Sequence, residues 1–505
     1  MGKEDEESQS VAKNSVKVTP LFSIVWFKEV IMKNYILLLF TLPYFYCELI
    51  HKSSLKNTID SPQEYQDKIK KLIEELDTDF TKYWTYKDLF NKPEHLGVSS
   101  ERVQRALKNL GNEKRLKRLL IKALNGEKIR LVTIGGSITK GAPFAEKGNG
   151  YRVYFNAIRN WWNRIFTPLT RSRMASRSIS IGGVGTDYFS YCLNTHLRED
   201  EKPKLILWEL SANDRGRYDD KPFPTGQPLE QFTRNVLNRI SQPALLYIHF
   251  FRGHDYLDGK CKNLEGEGGD VVARHYNIAS ISWRNFVCQS MKDRVELFLA
   301  KNTFSYDQLH PSILGHAQMA FLIINHLKNS FLRMLKSHAL NVPSLALFQQ
   351  QTFIQGDITL PKPLYHETTF NKPLCFTYFR YNDYEPNNTL AVNIIRHDDF
   401  KLNIFKKFKI RTDKLGGMQT YLAEQLLQVA IQLPAPYARL VAITHAGTGN
   451  GQVWLDQDTP VLINSDKYTM GSKVDLITTN VNAGNHTLNV LSMKNGFAFC
   501  GIAVL

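Results

Sequence analysis

The stretch Lys128-Ile-Arg-Leu-Val-Thr-Ile-Gly135-Gly136-Ser137-Ile-Thr-Lys-Gly141 is a short apolar run that empties into two glycines and a serine. A run of this length rich in β-branched residues reads as a buried strand. The glycines allow a sharp turn without a Cβ clash. Ser137 then stands at the C-terminal edge of a sheet, where open α/β folds place their ligands.

Outward from this strand, short apolar runs alternate with helical stretches as far as about residue 336. Strands are expected at 129–134, 178–181, 205–210, 245–251 and 295–299. Between them lie helical runs such as 151–166, where Tyr154, Phe155, Ile158, Trp162 and Ile165 form an apolar stripe. A last helix follows Pro311, which suits a first helical position. His316 is expected to pack inside that helix. The alternation implies a parallel sheet with helices on both faces. The α/β domain is expected over 129–338.

Beyond about residue 344 the character changes to short β-branched and aromatic runs separated by turn signals, as at 440–443, 452–455, 486–491 and 498–504. An antiparallel β-sandwich over 344–505 is expected, a module type that often binds carbohydrate. Ahead of the α/β domain, 53–128 reads as a charged helical stem. One helix runs from Ser99 or Ser100 to Gly111. A second spans 113–125, with Leu116, Leu119, Leu120 and Leu124 on one face, and stops at Gly126.

The N-terminal 1–34 is a polar tail, expected to be cytoplasmic. Residues 35–50, YILLLFTLPYFYCELI, are apolar except for Pro43 and Glu48. Extended back to Val30, at the expense of including Lys33, the segment reaches the roughly 20 residues that span a bilayer. The preceding tail is long for a cleaved signal peptide, so an uncleaved signal anchor is expected. Lys28 and Lys33 before the segment and Lys52 and Lys56 after it leave the orientation open. The sequons at Asn387 and Asn485 favour a type II, single-pass protein with its body lumenal (Golgi or ER) or extracellular.

The chain has 505 residues, a hydrophobic content of 43% and a charged content of 22%, which exclude a disordered protein. The formal net charge of +16 invites a nucleic-acid partner. No nucleic-acid-binding motif accompanies it, and much of the Lys and Arg lies in the first 130 residues, so none is expected. The six cysteines, Cys47, Cys192, Cys261, Cys288, Cys375 and Cys500, show neither CxxC spacing nor a Cys/His zinc pattern. With Cys47 in the apolar segment, at least one of the other five is unpaired or partnered elsewhere.

Three pieces carry chemistry. Taken alone, Ser137 reads as readily as a helix N-cap or part of a phosphate loop, although GxxxxGK[ST] and GxGxxG spacings are absent. The second piece, Leu205-Ile-Leu-Trp-Glu-Leu-Ser211-Ala-Asn213-Asp214, empties another strand into a polar loop. The Asn213 amide there can donate to an oxyanion, or the Asn-Asp pair can simply form a turn. The third is Tyr306-Asp307-Gln308-Leu309-His310-Pro311, where Asp and His three apart can meet in a turn. Asp307 would hold the imidazole of His310, whose other nitrogen would take a proton from Ser137. A serine after the first strand, an asparagine after a middle strand and an Asp–His pair after the last would all meet at one sheet edge.

These three blocks resemble the SGNH (GDSL-type) hydrolases. Gly135-Gly136-Ser137 is similar to the family's first block, Ser211-Ala212-Asn213-Asp214 to its Gly-x-Asn-Asp block, and Asp307-Gln308-Leu309-His310 to its terminal Asp-x-x-His. The phrases GGSIT, GTDYFSYCL, ELSANDR and DQLHP…GH further resemble fungal capsule-associated relatives with an SGNH-type esterase domain, type II membrane proteins linked to polysaccharide. The likeness covers roughly 113–330, and the β-rich tail more weakly. It implies a flavodoxin-like three-layer α/β sandwich followed by the antiparallel β-sandwich. It also implies a catalytic Ser137, Asp307 and His310, and an oxyanion hole built from Ser137, Gly182 and Asn213. The sequence departs from the pattern in three places. Gly136 stands where GDSL has an acidic residue, and Ser211 where Gly is usual. The second block, Ser178-Ile-Ser180-Ile-Gly182-Gly183, lacks the expected Asn, so anchoring on its glycines gives Gly182 and anchoring on Asp187-Tyr188-Phe189 gives Ser180.

The expected function is a serine esterase that removes O-acyl, chiefly O-acetyl, groups from a polysaccharide or glycan through an acyl-enzyme, with no metal or cofactor. An O-acyltransferase passing the same acyl group to a sugar hydroxyl, or a glycan-binding protein without turnover, is the alternative.

Overall fold

The computed structural model describes residues 61–78, 84–214, 226–257, 259–266, 268–354, 359–365, 373–377, 394–403, 416–445, 447–465, 471–493 and 496–505. The expected anchor and the Asn387 sequon lie outside them. Among the described residues no helix is long and apolar enough to cross a membrane.

The α/β part is a sheet of six strands: β1 (Leu107–Asn109), β2 (Ile129–Gly135), β3 (Met174–Ser180), β4 (Leu205–Glu209), β5 (Ala244–His249) and β6 (Ala279–Ser282). Their order is β1-β6-β5-β4-β2-β3. All neighbours run parallel except β1, which is antiparallel to β6. Counted from β2, the parallel strands follow the doubly wound order 2-1-3-4-5. The direction of winding reverses at β2, and there the carboxyl ends of the strands open a crevice.

Alternation along each strand divides the core. Leu131 of β2, Leu205 and Leu207 of β4 and Leu246 and Ile248 of β5 face one apolar layer. Val132, Ile134, Ile206, Trp208, Leu245 and Tyr247 face the other. The first layer is covered by α1 (Pro62–Asp77), α2 (Ser100–Ala106), α3 (Glu113–Leu124), α5 (Tyr154–Thr170), α9 (Trp283–Lys292) and α10 (Ile313–Ser337). The second is covered by α6 (Thr186–His196), α7 (Gln227–Leu237) and α8 (Gly269–His275). The short helix after β2, α4 (Ser137–Lys140), sits at the crevice.

Three expectations are corrected. Residues 295–299 form no strand; Glu296–Phe298 is a single 3-10 turn that buries Phe298. The last parallel strand is β6, Ala-Ser-Ile-Ser, whose serines hide it from a hydropathy reading. Their hydroxyls are buried but satisfied, Ser280 on His249 at 3.0 Å and Ser282 on Glu265. Secondly, the helix begun at Ser100 stops at Ala106 rather than Gly111, and the chain turns into β1 at the sheet edge. The described part of the region expected as a stem is therefore built into the α/β core. Tyr65, Ile69, Leu72 and Leu76 of α1 are buried there too. Thirdly, Pro311 precedes the N-cap Ser312 of α10 instead of opening the helix. His316 is fully buried inside α10, against Phe144, Tyr154 and Phe250.

The C-terminal part is antiparallel throughout. Its strands are β7 (Leu374–Thr377), β8 (Ile394–Arg396), β9 (Lys401–Asn403), β10 (Gly417–Thr420), β11 (Leu426–Leu433), β12 (Tyr437–His445), β13 (Asn450–Leu455), β14 (Val461–Asn464), β15 (Ser472–Val481), β16 (Gly484–Ser492) and β17 (Phe497–Val504). One sheet runs β8-β11-β16-β13-β14 and the other β9-β10-β17-β12-β15, with β7 also on β17. Every residue of β17 is buried, because this central strand is covered on both faces. Phe499, Ile502 and Val504 fill the sandwich interior, while Cys500 and Ala503 join the apolar layer around α6. The disulfide Cys192–Cys375 ties α6 to β7, and Cys261–Cys288 lies within the α/β part. Cys500 is a buried free thiol.

Candidate active site

Register sets up the site. Gly135 pairs with Ser180 on one side and Glu209 on the other, so the loops that follow β3, β2 and β4 leave the sheet side by side. Ser137 opens α4 directly after the glycine pair and is half-buried. Gly136 is required by a close approach: a Cβ there would fall 2.2 Å from Asn213 Nδ2. The Asn213 amide thus lies against the Ser137 turn, and its Nδ2 donates to Val184 O at 2.7 Å.

Gly182 sits half-exposed in the turn Ile181–Val184, closed by Val184 N–H donating to Ile181 O at 3.2 Å. Ile181 N–H donates to Gly135 O at 3.1 Å, so this turn is fastened to β2 at one end and to Asn213 at the other. Ser180, the alternative from the second block, accepts from the Ser178 hydroxyl at 3.2 Å. The Asp214 carboxylate caps α6, accepting from Thr186 N–H at 2.7 Å and from the Thr186 hydroxyl at 2.5 Å.

The third block arrives from the far side of the chain. Ser137 Oγ is 2.7 Å from His310 Nε2, and His310 Nδ1 is 2.6 Å from Asp307 Oδ2. The other carboxylate oxygen accepts two backbone N–H groups, from Leu309 and His310, each at 3.0 Å. Burial alone would raise the Asp307 pKa. The hydrogen bonds from the His310 ring and from the two N–H groups outweigh that and hold it below the usual carboxylate range. An ionised Asp307 accepts Nδ1–H, which leaves the Nε2 lone pair facing the Ser137 hydroxyl.

The loop that does this is shaped by a contact the sequence conceals. Gln308 takes a left-handed φ of 54°, sparsely populated for a non-glycine residue. Gly253, after β5, lies against it: its N–H donates to Leu309 O at 2.9 Å, and a Cβ there would fall 1.9 Å from Gln308 O. Ser305 ties the ends of the loop, its N–H donating to His310 O at 2.8 Å and its hydroxyl to Pro311 O at 3.0 Å.

The structure therefore brings Ser137, His310 and Asp307 into one hydrogen-bonded chain, with Asn213 and the Gly182 turn beside the serine. Such an arrangement can move a proton from a hydroxyl to an imidazole.

Over most of its length the chain is similar in fold to a two-domain esterase. Crystal structures of a two-domain esterase active on acetylated mannans match it, alone with a TM-score of 0.57 and co-crystallised with mannopentaose with 0.56. In both the identity is 18%, and the match covers 79% of this chain and 97% of that one. At this identity the likeness speaks for the fold: α/β part and β-sandwich occur together in that neighbour. No protein-family model matches the chain, and no curated protein sequence matches it.

Sequence reasoning missed Thr139, Glu209 and Gly253. Glu209 left one trace, a carboxylate at the end of an otherwise apolar strand, LILWE. Gly253 and Thr139 left none, since each matters only through a partner distant in the chain.

Proposed function

We propose that this chain is a serine esterase of the SGNH type that removes O-acyl groups, acetyl above all, from a polysaccharide or glycan. The observation that carries the proposal is the Ser137–His310–Asp307 relay, with contacts of 2.7 and 2.6 Å. His310 Nε2 takes the proton as Ser137 Oγ attacks the ester carbonyl. The tetrahedral oxyanion is met by the Ser137 and Gly182 N–H groups and the Asn213 amide. The sugar hydroxyl then leaves with the proton from His310, and water attacks the acyl-serine by the same route. No step calls for a metal or cofactor.

The glycan as substrate is supported by the likeness in fold, over 79% of this chain, to an esterase active on acetylated mannans. A lumenal or extracellular body held by an anchor over 35–50 is part of the proposal. Two disulfides among the described residues support it, since they persist in oxidising compartments. The exposed Asn485, at the start of β16, is accessible to a glycan.

Release of acetate from acetylated oligosaccharides tests the proposal. Wild-type protein should turn over, and Ser137→Ala should lower kcat by at least about 10³-fold. Activity retained in Ser137→Ala overturns it.

A further inference from the structure

Behind the Ser137 turn lies a carboxyl that the relay does not use. Glu209, at the end of β4, is buried, and its Oε2 accepts from the Thr139 hydroxyl at 2.8 Å and from Thr139 N–H at 3.2 Å. The Thr139 hydroxyl continues to the Tyr154 hydroxyl of α5 at 3.0 Å. Thr139, two residues after Ser137, is thus held from below by this side chain through both its hydroxyl and its backbone N–H.

We infer that Glu209 is a positioning residue for the chemistry proposed above: its buried carboxyl clamps Thr139 and so fixes the turn on which Ser137 is presented. The inference rests on the Ser137 nucleophile. Its physical basis is the accuracy acyl transfer demands, since a displacement of about 1 Å at the reacting atoms can cost about 10²-fold in rate. A four-residue helix has too few internal bonds to hold its own geometry, and a carboxyl with two donors from Thr139 supplies the missing constraint.

The surroundings add a pH dependence. The groups facing the carboxyl are Thr139 on α4, Tyr154 on α5 through the Thr139 hydroxyl, the Gly136 backbone and the Asp214 carboxylate beyond β4. Burial pushes Glu209 up to about 8, and the hydrogen bonds from Thr139 only partly oppose it. At neutral pH the clamp is therefore a neutral carboxylic acid. It places no charge against an oxyanion forming on the far side of the turn. Above about pH 8 the group ionises, and its charge opposes that oxyanion.

Covalent labelling of the full chain by a fluorophosphonate probe, followed against pH, tests this. Wild type should label at Ser137, with a rate that falls as pH rises through about 8. Glu209→Ala should label about 10- to 100-fold more slowly at pH 7. Glu209→Gln, which keeps the acceptor oxygen and cannot ionise, should recover most of the rate and lose the alkaline fall. A purely structural carboxyl would not shift that profile. Wild-type rates and the wild-type profile in both variants overturn the inference alone. No labelling of wild type at Ser137 overturns the nucleophile, and this inference with it.

Discussion

Asp307 shows how much of the relay is settled by backbone. One of its oxygens is occupied by the N–H groups of Leu309 and His310, which leaves the other to hold the imidazole. The carboxylate's orientation therefore depends on the loop's conformation, and that depends on Gly253. Gly253→Ala puts a methyl group 1.9 Å from the Gln308 carbonyl oxygen, a backbone atom that cannot swing aside. We expect the variant to fold, because β5 ends before this residue, but to lose about 10²-fold in kcat as His310 shifts off Ser137. Acetate-release kinetics beside a circular-dichroism spectrum check it, and wild-type kcat would show that the contact does not set the relay. The residues of the relay are legible in the sequence because each stands in a short polar block with its partner types. Gly253 and Glu209 are not, because what they do arises from an approach between segments far apart in the chain.

α6 links the site to the sandwich. Its N-terminus follows the Gly182 turn and is capped by Asp214, and its length carries Cys192 to the bridge with Cys375. The bridge joins residues 183 positions apart, so its loss should free a long loop in the unfolded chain. Replacing both cysteines by serine should lower stability by about 2–5 kcal/mol under non-reducing conditions, read as a shifted denaturation midpoint. An unchanged midpoint would show that the apolar layer around α6 holds the two parts without it. At this scale the sequence reads well wherever an apolar run is continuous, as in β2, β4 and β5. It fails at β6, where buried serines imitate a loop, and at 295–299, where Val, Leu and Phe imitate a strand but close one 3-10 turn. Period alone cannot separate a buried turn from a strand of the same length.

At the scale of the whole molecule, the described residues from Pro62 on form two layered parts that share one apolar layer. Tyr188, Phe189 and Cys192 of α6 pack in the same cluster as Val441, Ile443 and Ala503 of the sandwich. The sandwich is thus seated on the α/β unit's own core, on the face where α6 starts beside the serine loop. The two-part architecture is legible in the change of sequence pattern, but the sandwich expected from 344 is not entered there: Leu345–Ile354 is a helix whose Phe348 is buried in the α/β core. The shared layer is not legible, because the outward face of β12 and β17 looks apolar for the same reason as an inward one. The central claim, that Ser137 is acylated during turnover, is tested most directly on the intact protein. Mixed with an acetylated oligosaccharide, quenched in acid within the first turnovers and analysed by mass spectrometry, the wild-type chain should carry a single acetyl group, mapped by proteolysis to the peptide containing Ser137. Ser137→Ala should carry none. Acetate release without any adduct on that peptide, or an adduct that persists in Ser137→Ala, would contradict the account.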